Sequence, residues 1–235
     1  MSPNTDIKAN NPMIDNMFKA GAHFAFSRTR RHPTITPYIF GVKNKVEIFD
    51  LEKTSELLAK AKDFVATLAK EGKSILFVGG KSEARNAIKN AALSTNMPYV
   101  DGRWIGGTLT NFVQIRKRVE KLERLNLEKE KGELTKYTKK ERLLIDREIA
   151  NLERFFSGVV TMKDLPKAIF VIDPKKEKTA IKEAKDMGIT VIAVLGSDCN
   201  IKEVDYPIVG NDSSQMSVQF FAKEISKAYF DAKKA

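Results

Sequence analysis

The residues best placed for chemistry are Gly79-Gly80-Lys81-Ser82, which end an apolar run and open a helical pattern. Glycines, a lysine and a hydroxyl at a strand-to-helix junction are the materials of a phosphate loop. Such a loop needs a glycine five positions before its Gly-Lys-Ser so that backbone amides can encircle a phosphate. That position is Ile75, inside the apolar run, so the loop is absent. The remaining reading is a tight turn capped by Ser82, with Lys81 and the helix N-terminus still able to meet an RNA phosphate. Ile105-Gly106-Gly107-Thr108 lacks the G-x-G-x-x-G spacing of a dinucleotide fingerprint, and its glycines suit close backbone packing. His23 and His32 are the only histidines and Cys199 the only cysteine, so no Cys/His cluster has metal spacing. Nor can a nucleophile–base pair be assembled. Asp173, Asp198, Asp205 and Asp212 are expected along one edge of a sheet, where a Mg²⁺ site competes with helix caps and Asx turns. Trp104 beside Arg103 could stack on a base or fill a core. No enzyme, cofactor or small-molecule substrate is implied.

What remains is charge. The 235 residues carry 41 Lys plus Arg against 30 Asp plus Glu, a net of +11, which calls for a polyanionic partner. Between Lys19 and Lys45 stand six basic residues and no acid. A single cysteine excludes an internal disulfide and suits a reducing compartment. The first thirteen residues lack the pattern of a secretory signal, and no apolar run is long enough to span a bilayer. A cytoplasmic protein with no membrane partner is the expectation.

The elements that must position these groups alternate. Residues 1–11 read as a disordered arm, and a short helix starts at Met13 and stops near Gly21. Residues 22–49 form a basic segment, in which Pro33 and Pro37 forbid regular helix, and a hairpin of strands 38–40 and 46–49. Helices are predicted at 53–71, 82–95, 176–187 and 214–231. Strands are predicted at 75–78, 99–100, 168–172, 191–195 and 206–209, the last an edge strand because it holds Pro207. Strands separated by helices mean a parallel sheet covered on both faces, an α/β fold with a flavodoxin-like order. The alternation breaks over 106–157. There Phe112, Ile115, Val119 and Leu122, then Ile145, Ile149, Leu152 and Phe156, recur at heptad spacing among charged residues. Two helices are expected to pair as an antiparallel coiled-coil hairpin turning near Gly132; the alternative is two helices lying on the sheet. The α/β domain would then be 12–105 and 158–232, with 106–157 inserted.

Several stretches carry a resemblance. They are Tyr38-Ile39-Phe40-Gly41-Val42-Lys43-Asn44-Lys45, Asp50-Leu51-Glu52-Lys53-Thr54, Ile75-Leu76-Phe77-Val78-Gly79 and Arg103-Trp104-Ile105-Gly106-Gly107-Thr108-Leu109-Thr110-Asn111. Further along come Leu165–Asp173, Ala180–Ala184 and Gly210-Asn211-Asp212. Over residues 13–231 the chain resembles the S-two family of bacterial small-subunit ribosomal proteins. The resemblance implies a non-enzymatic, ribosome-bound structural constituent supporting translation, with a flavodoxin-like domain and a protruding coiled-coil hairpin. It also implies a seat between head and body, contacts with small-subunit ribosomal RNA and neighbouring proteins, and help in anchoring the large S-one protein. The nominated RNA contacts are Arg28, Arg30, Arg31, His32, Lys43, Asn44, Lys45, Lys81, Arg103, Trp104, Asn111 and Arg116. The stretch from Arg28 to Lys45 is expected to carry most of the affinity, kept extended by its prolines.

Overall fold

In chain order the elements are α1 (Pro12–Lys19), β1 (Phe24–Ser27), β2 (Ile39–Lys43), β3 (Val46–Phe49), α2 (Leu51–Lys70), β4 (Ile75–Val78), α3 (Ser82–Thr95) and β5 (Tyr99–Val100). Then follow α4 (Phe112–Glu130), α5 (Lys139–Phe156), β6 (Ala168–Ile172), α6 (Lys178–Asp186), β7 (Thr190–Leu195), β8 (Tyr206–Val209) and α7 (Gln215–Lys234). This is a computed structural model that describes residues 12–234; the arm expected over 1–11 lies outside them.

Strands β4 to β8 form a parallel sheet in the order β5-β4-β6-β7-β8. Counted from β4 that is 2-1-3-4-5, the doubly wound order of flavodoxin-type sheets. Every residue of β4 and β6 is buried, because helices cover both faces. Side chains alternate accordingly. Phe77, Phe170 and Val194 pack with Leu58, Val65, Ile88, Phe221 and Ile225 of α2, α3 and α7. On the other face Leu76, Ile169, Val171 and Val191 pack with Ile181 and Ala184 of α6. Pro207 sits on β8, which pairs only with β7 and so forms an edge.

The basic segment folds differently from the expectation. Phe24–Ser27, a strand too short to read from the sequence, pairs with β3 to make an antiparallel sheet of order β1-β3-β2. The stretch after it is not extended: tight 3-10 turns occupy Arg28–Arg30 and Pro33–Tyr38. Proline's fixed φ suits the first position of such a turn, and His32 Nδ1 caps it by accepting from the Thr34 amide at 3.3 Å. The β2–β3 hairpin reverses at Asn44 and Lys45, both left-handed with φ of 51° and 65°, the geometry of a two-residue hairpin turn.

Helices α4 and α5 pack on each other through Ile115, Val119, Leu122, Ile149, Leu152 and Phe156. Lys121 pairs with Glu148 across them, and Lys129 with Asp146 at 2.7 Å. Left-handed Gly132 and a Thr138–Glu141 capping box turn the chain between them. Their apolar seam is continuous with the core on one sheet face. Where α5 returns to the sheet, Gly158 lies so close to β5 that an added Cβ would stand 2.2 Å from the Tyr99 carbonyl oxygen.

Replacing Gly158 with Ala therefore forces β5 outward. Overpacking of this kind costs about 1–3 kcal/mol, and a chain of this size loses roughly 2–4 °C per kcal/mol. Thermal unfolding should show that drop for Gly158→Ala but not for Gly41→Ala, whose added methyl meets nothing within 4 Å.

Candidate nucleic-acid interface

The carboxyl edge of the parallel sheet, where α/β folds usually seat ligands, is occupied by the chain's own charges. Lys81 Nζ lies 3.2 Å from Asp173, 3.3 Å from Asp212 and 3.2 Å from the Ser213 hydroxyl. Burial works against the ammonium, but Asp212 and Asp173 outweigh it and raise its pKa. Lys81 is thus committed to two carboxylates instead of a phosphate. The Gly80 amide, which could have faced an anion, donates to the Glu177 carboxylate, whose pKa burial pushes up. A Cβ at Gly80 would stand 2.7 Å from Glu177 Oε1. The expected cap at Ser82 is not formed: Lys81 holds the N-cap position, and the Ser82 hydroxyl donates to Glu83 at 2.9 Å.

The aspartates separate. Asp173 follows β6, Asp198 follows β7 and pairs with Lys175 at 2.7 Å, and Asp212 follows β8. Asp205 precedes β8 and accepts from the Val191 amide at 2.8 Å, which puts it on the opposite edge. The expected single row of four is therefore a cluster of three and an outlier. Among the described residues no group of three His, Cys, Asp or Glu is arranged to hold a metal. Burial, first, and then Asp173 and Asp198 push the Cys199 thiol up to about 12, so it stays protonated and unreactive.

The segment 103–111 is organised by a residue that was not singled out from sequence, Glu183 of α6. Its carboxylate accepts from Trp104 Nε1 at 3.1 Å and from the amides of Gly107 at 2.8 Å, Leu109 at 3.0 Å and Thr110 at 3.4 Å. Burial opposes its ionisation, yet the donors from Leu109, Trp104, Gly107 and Thr110 prevail and hold its pKa below the usual range. A signal was present: Ala180, Glu183 and Ala184 share the inward face of α6 by helical spacing. Trp104, nominated as a base-stacking residue, is instead 7% exposed and bound to this carboxylate.

The other nominated residues divide in two. Arg31 donates to Glu47 at 2.8 Å, and that glutamate is wholly buried. His32 caps its own turn. Arg116 donates to the carbonyls of Val160 at 3.3 Å and Met162 at 3.4 Å. These three are tied into the fold, as Lys81 and Trp104 are. Arg28, Arg30, Lys43, Asn44, Lys45, Arg103 and Asn111 remain exposed. Arg28 and Arg30 lie in the turn that follows β1, Lys43 and Lys45 at the β2–β3 reversal that β1 pairs beside, and Lys19 ends α1; none of the five has a carboxylate partner among the described residues. Arg30 rests over the Phe26 ring, 5.7 Å from its centroid.

The fold and the site define a basic α/β domain whose sheet edge is closed by its own carboxylates, with exposed cations beside an added sheet. The particular kind is settled by comparison with known proteins. Residues 17–232 match the family model described as Ribosomal protein S2. Small ribosomal subunit protein uS2 of Nitratiruptor sp. is 42% identical over 94% of this chain and 82% of its own length. The proteins of the same name from Sulfurimonas denitrificans and Helicobacter hepaticus are 40% and 41% identical over 94% of this chain, and over 85% and 83% of their own. The chain belongs to the ribosomal protein S2 family, a ribosome-bound structural protein of the small subunit and not an enzyme. No helix among the described residues is long and apolar enough to cross a membrane.

Glu183→Gln would turn an amide N–H₂ toward donors that need an acceptor, and hydrogen bonds to a charged group are worth roughly 1.5–3 kcal/mol each. Trp104, the only tryptophan, reports the change by fluorescence. Because the folded-state pKa of Glu183 is lowered, its contribution is full above the ordinary glutamate value of about 4.3. It fades as pH falls through the lower folded value. Denaturation series at several pH values should show that acid limb in the parent protein and a smaller one in Glu183→Gln.

Proposed function

We propose that this protein binds small-subunit ribosomal RNA in the cytoplasm, between the head and body of the subunit, through the exposed cations of the three-stranded sheet. The observation that carries this is the set of five exposed cations, Lys19, Arg28, Arg30, Lys43 and Lys45, which have no carboxylate partner among the described residues, while the buried acid of β3, Glu47, is already matched by Arg31. Lys45 adds a detail. It occupies a left-handed hairpin position where glycine is strongly favoured, so a charged side chain is kept at the tip despite backbone strain. Arg103 and Asn111, on the loop ordered by Glu183, supply a second and smaller contact.

In this reading residues 12–105 and 158–232 form the RNA-facing α/β domain, and 106–157 are a coiled-coil hairpin standing off it. Neighbouring small-subunit proteins, including the large S-one protein, are its other partners; the family resemblance supports this.

Each phosphate contact adds about 0.7–0.9 to the slope of log affinity against log salt. Arg28→Ala, Arg30→Ala and Lys43→Ala combined should flatten the slope for a small-subunit RNA fragment by roughly two to three units. Arg31→Ala should chiefly lower stability, since it strips the partner from buried Glu47. An unchanged slope in the triple variant would remove this sheet as the phosphate contact, and failure to co-sediment with small subunits would remove the ribosomal assignment of the contact altogether.

A further inference from the structure

The amino edge of the parallel sheet carries charge without the carboxylates that close its other edge. An open recess of about 560 Å³ lies where β4, β5 and β6 begin, and Lys73, Ser74, Asn96, Thr161, Lys163 and Lys167 line it. All three lysines are exposed, and none has a carboxylate partner among the described residues. The fold fixes where they stand. The Lys167 amide donates to the Ser74 carbonyl at 3.0 Å, and the Lys73 carbonyl accepts from the Tyr229 hydroxyl at 3.0 Å. Lys73 and Lys167 therefore leave adjacent strands, spaced roughly 4.8 Å apart, and their like charges repel. The usual structural uses of such lysines are already filled. Carbonyls at the ends of α2 and α3 are served by backbone amides, Leu68 by Lys73 at 2.9 Å and Ala92 by Met97 at 2.9 Å, in the turns that commonly close a helix. The acid in the lining, Asp164, is exposed and forms no ion pair among the described residues. Three ammonium groups thus face one carboxylate.

We propose that this recess is a second phosphate site, where the backbone of the bound RNA is held at the end of the sheet away from the β1–β3 surface. The inference rests on the RNA-binding reading above and adds a separate point of attachment to it. The three-stranded sheet is fastened to the carboxyl edge, where the Phe26 amide donates to the Ser197 hydroxyl and the Asn211 amide to the Ala22 carbonyl, both at 3.0 Å. The two sets of cations therefore stand about the length of β6 apart, five residues or roughly 16 Å. A folded RNA presents phosphates continuously over such a distance, whereas one acidic side chain answers only one end. The Ser74 and Thr161 hydroxyls and the Asn96 amide supply the uncharged donors that phosphate oxygens accept from alongside lysines.

The test uses the full chain and the full-length small-subunit ribosomal RNA transcript, with polyglutamate as a second probe. Lys73→Ala, Lys163→Ala and Lys167→Ala combined should flatten the slope of log affinity against log salt by roughly two to three units. That loss should add to the loss caused by the Arg28, Arg30 and Lys43 variant, and Arg at the same three lysine positions should keep the slope. A control triple, Lys60→Ala, Lys89→Ala and Lys227→Ala, removes as much charge from exposed helix positions outside the recess and should leave the slope as it was. A slope unmoved by the recess variant but flattened by the sheet variant overturns this site and leaves RNA binding standing. Equal flattening by the control overturns it too, because net charge alone would then be at work. Polyglutamate binding that the recess variant abolishes, with the RNA slope unmoved, assigns the recess to an acidic protein segment instead. If neither the recess nor the sheet variant moves the slope, the RNA-binding reading falls as well.

Discussion

The carboxylate of Glu183 is the interaction on which the placement of the helical pair depends. One buried charge gathers the Trp104 indole and the amides of Gly107, Leu109 and Thr110. A loop of that length would otherwise leave several donors unsatisfied beneath the sheet, each at a cost of about 1–3 kcal/mol. With its amides engaged, the loop can lie flat, bury Leu109 and Trp104, and launch α4 in a fixed direction. The same logic holds at the return, where Gly158 lets α5 reach β5 at backbone distance. A charge at one end and a missing side chain at the other therefore set how a polar pair of helices meets an apolar sheet.

Carboxylates also determine what the sheet does not do. Its carboxyl edge has the layout of a phosphate or metal site, with glycines, a lysine and three aspartates at strand ends. Yet Lys81 is held between Asp173 and Asp212, and the Gly80 amide donates to Glu177. The positive groups that would attract a phosphate already have anions, at distances an external ligand would have to displace. The charges cancel locally, and the edge becomes a polar seal over the core. Beside the small antiparallel sheet, by contrast, Arg28, Arg30, Lys43 and Lys45 are exposed and have no carboxylate partner among the described residues.

That sheet shows how folding sorts like residues into different roles. Arg28, Arg30 and Arg31 are neighbours in sequence, but a tight turn directs only Arg31 to the buried Glu47 and leaves the other two in water. The aromatic residues divide in the same way. Phe49 enters the core while Phe40, on the adjacent strand, stays outside.

The sequence by itself determined the architecture, because parallel strands buried on both faces must be apolar throughout and their helices must carry one apolar stripe. Ile75–Val78, Tyr99–Val100, Ala168–Ile172 and Tyr206–Val209 were legible to the residue, and Pro207 marked an edge. The basic character of residues 19–45 was equally plain, since charge needs no geometry to be counted. Tertiary structure alone decided which of those charges are free. Arg31, Lys81 and Arg116 look the same in sequence as Arg28, Lys43 and Arg103, and their partners lie 16, 92 and 44 residues away along the chain. A strand of four residues such as Phe24–Ser27 likewise exists only because β3 is there to pair with it. Composition and periodicity are local quantities, whereas the neutralisation of a buried charge depends on what the fold brings beside it.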